Sequence, residues 1–408
     1  MRLRSTCVLV CLLCWPALGT AAFDPTDAFQ IYVNLGVVHD NNLFRLPDAN
    51  PQLFGVNPDN KSDTSFTKGV GFKFDKEISR QRLIADANLY ETTFDKNDDL
   101  DYSGYDGRVA WLWRVGNDWN GEASYRKKKT LGGFADELLK AKDLVKYEYY
   151  LLNGGYQLDA RWRLGAELAK EDQTHSAITR RSLDLDARAF GVNLTYRTPA
   201  DNSVALHARR TDRDYPNRLS VGTVFFDNNN REDRVTLIGL WRYSGLLRLE
   251  GQVGYADITH DQLSVRDFSG YTWRAGGVWD TTGKIRVNFA AYRDIRLYED
   301  IATSYIVAKG VNITPLYAIT AKVNLQADLL WERRDFRGNP GFAAGFNLND
   351  REDIYRQARI ALTYQPWRFV DLSVAFETGD RSSNVVVNSI SVNSFDYQAW
   401  TATAKISW

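Results

Sequence analysis

Apolar and polar residues alternate along most of this chain, most clearly in residues 395–408, which read FDYQAWTATAKISW. The apolar members of this alternation are Trp400, Ala402, Ala404, Ile406 and Trp408. Successive side chains of a β-strand point to opposite faces, so the stretch predicts a strand with one apolar and one polar face. A last strand that ends on an aromatic residue is typical of bacterial outer-membrane β-barrels. A soluble edge strand is the alternative.

Similar alternating runs recur from residue 31 onwards, and we count about eighteen of them. The predicted fold class is all-β: a single antiparallel transmembrane β-barrel of the outer-membrane type, in which residues 395–408 pair with the strand that starts near Gln30. Short turns are predicted at 76–79, 116–118, 158–160, 198–202, 244–245, 280–283, around Pro315 and at 365–368. Longer polar loops are predicted at 40–62, 95–101, 128–144, 173–183, 214–232, 258–267, 296–303, 336–352 and 381–394.

The alternation of short and long connections orients the predicted barrel, because short turns face the periplasm and long loops face outward in such barrels. Several aromatic residues stand beside the short turns and predict an inner-leaflet belt: Trp113, Trp119, Tyr156, Trp162, Tyr196, Tyr243, Trp279 and Trp367. The facing of strand 303–314 is ambiguous, since Lys309 shares a parity with Tyr305 and Val307. Loop 131–144 has a partly helical pattern, which leaves an inward fold open.

The N-terminus indicates the compartment. Arg2 and Arg4 precede an apolar run over 7–18, and small residues follow it up to Ala22. This pattern predicts a secretory signal peptide over 1–22 and an outer-membrane β-barrel over 23–408. All three cysteines lie at or before position 14, so the mature chain is predicted to be cysteine-free and not lipidated. The expected location is the outer membrane of a Gram-negative bacterium, with outer-membrane lipid as a partner.

Charge and hydropathy narrow the function classes. The chain has 51 basic and 51 acidic residues, which removes the simplest case for nucleic-acid binding. After residue 22 no apolar run approaches the roughly 20 residues that a spanning helix needs. A barrel is therefore the predicted way for this chain to be integral to a membrane.

The polar parity of the strands predicts a charged lumen that is rich in arginine. The candidate pore-lining residues for substrate contact are Arg82, Arg114, Arg163, Arg197, Arg209, Arg242, Arg248, Arg274, Arg286, Arg334 and Arg359. One hypothesis is that these arginines pair with nearby carboxylates and brace the wall. The other is that they form an anion-selective ring near the periplasmic mouth, because rings of Arg and Lys favour anions in pores and Arg binds carboxylate and phosphate bidentately.

No arrangement of residues predicts catalysis, and neither a metal nor a cofactor is predicted. The four histidines are scattered, and no serine forms a recognisable dyad with one of them. The acidic group Asp95, Asp98, Asp99 and Asp101 lacks the glycine and bidentate glutamate of a dedicated Ca²⁺ loop. We interpret it as a solvated loop.

Specific stretches resemble a known family. They are GVVHDNNLFRL (36–46), Ser62-Asp63, SRQR (79–82), LDYSGYDGRVAWLWRVGNDWNGEASY (100–125) and FADE (134–137). Together they resemble the outer-membrane proteins of exosortase-B-associated exopolysaccharide biosynthesis loci, the EpsL-type family. The resemblance covers essentially the whole mature chain, with its motifs in the N-terminal third. It implies a barrel that serves as, or with, the outer-membrane exit for an exopolysaccharide, and it brings no catalytic residues.

Three functions therefore compete. The leading hypothesis is an exit pore for a polysaccharide, with a periplasmic export component as a possible partner. The second is a general or solute-specific porin, and the third is a structural or assembly barrel that conducts nothing. An inward loop 131–144 or 214–232 with facing acidic and basic residues favours the porin, whereas a wide unobstructed lumen favours the exit pore.

Overall fold

The computed structural model describes residues 27–136, 140–221, 224–297, 304–338, 350–387 and 390–408. Eighteen antiparallel strands pair in a closed ring, in which each strand is hydrogen-bonded to two neighbours. The all-β barrel predicted from the sequence is confirmed. The predicted signal peptide, residues 1–22, lies outside the described residues.

The wall strands follow the chain order. They are β1 (Phe29–Asp40), β2 (Asp63–Ile78), β3 (Gln81–Phe94), β4 (Tyr102–Val115), β5 (Trp119–Leu131), β6 (Leu144–Gln157), β7 (Trp162–His175), β8 (Leu185–Arg197), β9 (Ser203–Asp214), β12 (Asn230–Arg242), β13 (Leu247–His260), β14 (Phe268–Asp280), β15 (Ile285–Leu297), β16 (Tyr305–Thr320), β17 (Val323–Arg337), β18 (Glu352–Trp367), β19 (Val370–Ser383) and β20 (Phe395–Ser407). A small hairpin, β10 (Leu219–Val221) and β11 (Val224–Phe226), lies in the connection between β9 and β12. Within the described residues, the helical segments are short 3-10 turns, and none could cross a bilayer.

The first and last strands close the barrel. Strand β20 pairs with β1 over nine residues, from Tyr32 opposite Ser407 to Asp40 opposite Ala399. The backbone of Ile31 and Trp408 exchanges two further hydrogen bonds of 2.9 and 2.7 Å. The predicted closing partner of residues 395–408 is therefore confirmed.

The two faces of the wall differ as the alternation predicts. Large apolar side chains such as Val33, Leu89, Val235 and Trp400 are exposed on the outer surface. The opposite parity of the same strands carries charged and polar residues into the lumen. Near the short turns, aromatic pairs such as Trp119–Tyr156 and Trp162–Tyr196 pack with ring centroids 4.9 Å apart. They lie where the aromatic belt is expected.

One predicted turn is wrong. Pro315 is not in a turn but inside β16, which continues to Thr320. Proline cannot donate a ladder hydrogen bond, and the pairing of β16 with β17 is interrupted between Ile313 and Leu316. Lys309 shares the outward parity of the exposed Val311 and binds Asp335 at 3.3 Å, which resolves its ambiguous facing.

Four inward tyrosines lie directly over glycines of a neighbouring strand. Tyr32 is opposite Gly71, Tyr90 opposite Gly104, Tyr292 opposite Gly310 and Tyr397 opposite Gly379. A Cβ atom at any of these glycines would fall within 2.6 Å of the tyrosine. The absence of a side chain on the glycine therefore lets each ring lie flat against the wall.

Removing residues 395–408 is expected to prevent assembly, because β1 and β19 would then expose unpaired strand edges that lipid cannot satisfy. The deletion variant should accumulate as a degraded or aggregated periplasmic species. The measurement is heat-modifiable migration in detergent gels, with Trp408→Phe as the control that keeps the ladder intact. A deletion variant with normal heat-modifiable migration would contradict the closure mechanism.

Candidate functional site

All eleven arginines predicted to line the pore lie on the inward parity of their strands. Eight of them form ion pairs: Arg82–Asp75 (2.5 Å), Arg197–Asp201 (3.6 Å), Arg209–Glu167 (3.2 Å), Arg242–Asp201 (2.6 Å), Arg274–Glu250 (3.7 Å), Arg286–Asp280 (2.6 Å), Arg334–Glu332 (2.6 Å) and Arg359–Asp328 (3.4 Å). These contacts favour the wall-brace hypothesis for the eight. Their role as substrate contacts stays a prediction.

The remaining three arginines, which also lie near short turns, form none of these ion pairs. Arg163 donates to the Asn120 Oδ1 atom at 2.9 Å. Arg114 and Arg248 have no carboxylate within ion-pair distance among the described residues. They are therefore the candidates for an anion-attracting role.

The structure brings part of the predicted ring together in a recess at the periplasmic mouth. The recess has a volume of about 840 Å³. Its charged lining residues are Arg80, Arg82, Arg114, Arg163, Arg197, Glu77 and Glu122. With five arginines against two glutamates, the recess presents a net positive charge to the periplasm.

At the opposite end, loop 41–62 is built by a buried asparagine and a buried aspartate. The Asn42 side-chain amide donates to the Leu46 carbonyl and accepts from the Leu46 N–H group. It also donates to the Asp396 carbonyl of β20, and each of the three hydrogen bonds is 2.8 Å long. Asp63 accepts four hydrogen bonds, from the backbone of Thr64, Lys96 and Asn97 and from the Asn97 side chain. These contacts fix loop 41–62 against β20 and against the β3–β4 connection.

An apolar cluster then joins three connections at the extracellular mouth. Phe44, Leu46 and Phe54 of loop 41–62 pack with Leu100 of the β3–β4 connection and Phe134 of the β5–β6 connection. All of these side chains are buried, which is unusual for exposed loops of a barrel. The cluster holds the β5–β6 connection in a defined position.

Residues 132–136, at the start of the β5–β6 connection, extend into the lumen at its extracellular end. Asp136 forms an ion pair with Arg381 of β19 and lies 3.9 Å from Arg334 of β17. Strand β17 is eight strands from β5 in one direction and nine from β6 in the other, so the loop reaches almost the opposite wall. The inward fold that the sequence left open is therefore present, with acidic and basic residues facing each other.

The electrostatics of this contact favour a charged Asp136. Burial raises the pKa of the carboxyl group, but the cations of Arg381 and Arg334 outweigh it and hold the pKa below its ordinary value. The Arg381 guanidinium also donates to the backbone carbonyls of Ala135 and Asn393, at 2.6 and 2.5 Å. Its side chain is 3% exposed, whereas that of Asp136 is 45% exposed. Arg381 is therefore the main anchor of the loop.

A charged network continues from this anchor along the wall. Glu332 accepts hydrogen bonds from Tyr292 at 2.6 Å, Arg296 at 2.8 Å and Arg334 at 2.6 Å. Nearby, Arg351 binds the fully buried Asp353 at 2.6 Å. The network lines the side of the lumen that receives the loop.

The sequence prediction missed Arg296, Arg351, Arg381 and Asp353 as lumen residues. It assigned Arg296, Arg351 and Arg381 to loops, because the apolar side of the alternation stops there, and it began the next strand at 353 without including Asp353 among the lumen residues. Beyond the membrane the outer face also becomes polar, so alternation alone cannot follow a strand that continues. Counting parity onward from Glu377 would have placed Arg381 inward.

Comparisons with known proteins support the architecture. No family model matches the chain, and no curated protein sequence matches it. The outer membrane protein opdK of Pseudomonas aeruginosa has a similar structure, with a TM-score of 0.50 and 10% identity over 93% of this chain and 99% of its own. OccK9 (OpdG) of the same species gives a TM-score of 0.51 and 11% identity over 93% and 98%. The chain therefore has the fold of Gram-negative outer-membrane β-barrels. At this identity the likeness concerns the fold alone.

Replacing Arg114, Arg163, Arg197 and Arg242 together by Gln should leave the barrel folded and shift its ion preference from anions toward cations, because the periplasmic end of the lumen loses positive charge. Reversal potentials in planar bilayers under a salt gradient measure the shift. The matched control replaces the outward Arg188, Arg210, Arg231 and Arg356 by Gln. Unchanged anion preference in the folded lumen variant would mean that these arginines are wall braces only.

Proposed function

We propose that this barrel is a porin-like channel for small polar solutes, narrowed by its own β5–β6 connection. The observation that carries the proposal is the contact of Asp136 with Arg381 and Arg334 on the far wall. A loop fixed across the lumen limits the size of what passes, and its facing charges orient a polar solute as it passes. A wide, unobstructed conduit would not have such a contact across its lumen.

The charge of the lumen favours anionic solutes. Through its ion pairs the network around the loop holds six cations against five anions, namely Arg213, Arg234, Arg296, Arg334, Arg351 and Arg381 against Asp136, Glu232, Asp294, Glu332 and Asp353. The periplasmic recess adds a larger positive excess. Arginine forks bind carboxylates and phosphates bidentately, so small carboxylates or phosphates are the solute class we propose.

Arg381→Gln and Asp136→Asn should both raise single-channel conductance, because the loop is released from the far wall. Arg381→Gln removes hydrogen bonds of a buried cation and should weaken docking by about 3 kcal/mol. Asp136→Asn should weaken it by only about 1 kcal/mol, since that carboxylate is half exposed. Conductance in planar bilayers should therefore rise more for Arg381→Gln.

The control for this experiment is the outward pair Arg356–Asp380, 3.3 Å apart, changed to Gln and Asn. A pH series adds a second readout. The lowered pKa of Asp136 means that its contribution is fully present above the ordinary value of 3.8 and is lost as the pH falls through the lowered pKa. If Arg381→Gln conducts like the control variant, the loop does not limit the pore and the proposal fails.

Exopolysaccharide export is the second candidate, and a specific observation favours it. Of the five stretches that carry the family resemblance, four contribute a residue to the mouth structure that positions the inward loop, namely Leu46, Asp63, Leu100 and Phe134. The fifth, 79–82, forms a short turn at the other end of the barrel. That four stretches reach one structural feature supports a shared role of that feature. Under this candidate the β5–β6 connection is a gate that must leave the lumen before a glycan chain can pass.

Tethering the loop distinguishes the two candidates. We expect an exporter carrying Asp136→Cys and Arg381→Cys to lose surface polysaccharide when a bismaleimide links the two thiols, because a chain cannot pass a fixed loop. A small-solute channel would keep both its conductance and the polysaccharide level of the strain. Each single cysteine variant, treated with the same reagent, is the control, and a deletion strain gives the baseline. Unchanged polysaccharide in the deletion strain would end the export candidate.

A further inference from the structure

A ring of charged side chains surrounds the outer surface of the barrel above its apolar band. These residues lie on the outward parity near the long-loop ends of the strands, which is the level of the outer-leaflet headgroups. Most of the cations there have carboxylate partners, as in Lys68–Glu91, Lys127–Glu148, Arg210–Asp233, Arg231–Asp212, Lys309–Asp335 and Arg356–Asp380. As a rule, a cation of this belt is neutralised by a carboxylate on a neighbouring strand.

On one rung of the belt, two directly opposed cations both lack a carboxylate partner. Lys129 of β5 is directly opposite Lys146 of β6. Neither has a carboxylate within ion-pair distance in the part of the chain that the structure describes. Like charges directly opposite each other on a sheet are destabilising. The same rung continues with Tyr105 on β4 and Thr174 on β7, so two hydroxyl-bearing side chains flank the two ammonium groups.

The wall below this rung is a groove suited to hydrocarbon. It has a volume of about 590 Å³, and its apolar lining includes Val109, Trp111, Ala123, Leu152 and Leu168. Ala123 stands between the larger Trp111 and Leu152 on neighbouring strands, which makes the surface concave. Tyr125 and Tyr150 close the upper end of the groove, and the Lys127–Glu148 pair lies between them and the lysine rung. Both tyrosine hydroxyl groups donate to Glu148.

A second groove on the outer wall provides an internal comparison. It has a volume of about 570 Å³ and is lined by apolar residues that include Leu35, Phe66 and Val374. Its cation, Lys68, is already paired with Glu91 at 2.9 Å. The two grooves are alike in size and apolar lining, so the uncompensated charge is what distinguishes the β4–β7 face.

We propose that the outward face of β4–β7 is a binding site for the lipid A part of lipopolysaccharide. A phosphate of the headgroup lies between Lys129 and Lys146, and an acyl chain occupies the groove along Leu152 and Leu168. The phosphate removes the repulsion between the two lysines and supplies the anion that the protein itself does not. The outer leaflet of this membrane presents such phosphorylated glycolipids at the height of the rung. This site is independent of what passes through the lumen.

The test is native mass spectrometry of the detergent-purified barrel titrated with bisphosphorylated lipid A. Lys129→Ser combined with Lys146→Ser should weaken binding about 30-fold, from about 1 kcal/mol for each basic residue at an anionic surface. The matched control, Lys68→Ser combined with Lys309→Ser, removes two outward lysines elsewhere and should leave the affinity unchanged. Dephosphorylated lipid A should bind the unmodified protein as weakly as bisphosphorylated lipid A binds the double variant.

Reversing the charge of Lys129 separates the effect on ligand binding from the effect on the stability of the wall. Lys129→Glu should pair with Lys146 as Glu148 pairs with Lys127, so the thermal midpoint of the barrel in detergent should rise while lipid A affinity falls. The proposal is overturned if the double variant and its control bind lipid A equally, if dephosphorylated lipid A binds as tightly, or if Lys129→Glu leaves the midpoint unchanged. Heat-modifiable migration verifies that each variant is folded.

Discussion

The hydrogen-bond requirement of the backbone in lipid governs this structure. Hydrocarbon offers no partner to a peptide N–H or C=O group, so a sheet inside it must have no edge. Eighteen strands meet the requirement as one ring, and the pairing of β1 with β20 is the step that removes the last two edges. The two-residue alternation, the outer apolar band and the polar lumen all follow from placing that ring between lipid and water. Pro315 interrupts the β16–β17 ladder. Beside it, on the lumen side, the Thr314 hydroxyl donates to Asp328 at 3.1 Å and connects the two strands.

The parts of the fold that the bilayer dictates could be predicted from the sequence. Alternation ending at Trp408 indicated the closing strand, and parity placed all eleven candidate arginines in the lumen. The extracellular structure could not be predicted in the same way, because above the membrane both faces of a strand are wet and the pattern loses its contrast. Arg381 and Arg296 were therefore assigned to loops although each lies in a strand. The sequence predicts a turn at Pro315 because proline is rare in paired strands, whereas the residue lies inside β16.

The candidate site depended on contacts between residues far apart in sequence. Asp136 and Arg381 are separated by more than half of the chain, and no local pattern links them. Residues 132–136 are held in place by apolar packing of Phe134 with Phe44 and Leu46, and by the Asp63 hydrogen bonds that fix the neighbouring loop. The lumen is thus narrowed by a small core of its own at the extracellular mouth. The position of the charges depends on that core as much as on the wall.

The tyrosines that lie over glycines bear on the cross-section of the channel. Each of these rings lies flat against the inner surface of the wall and takes up little of the bore, because the facing glycine has no side chain. The four residues are Tyr32, Tyr90, Tyr292 and Tyr397. Removing one of these rings would widen the passage very little. Giving one of the glycines a side chain would turn the opposite ring into the water-filled interior. Along the wall, the width of the bore therefore depends in part on positions that have no side chain of their own.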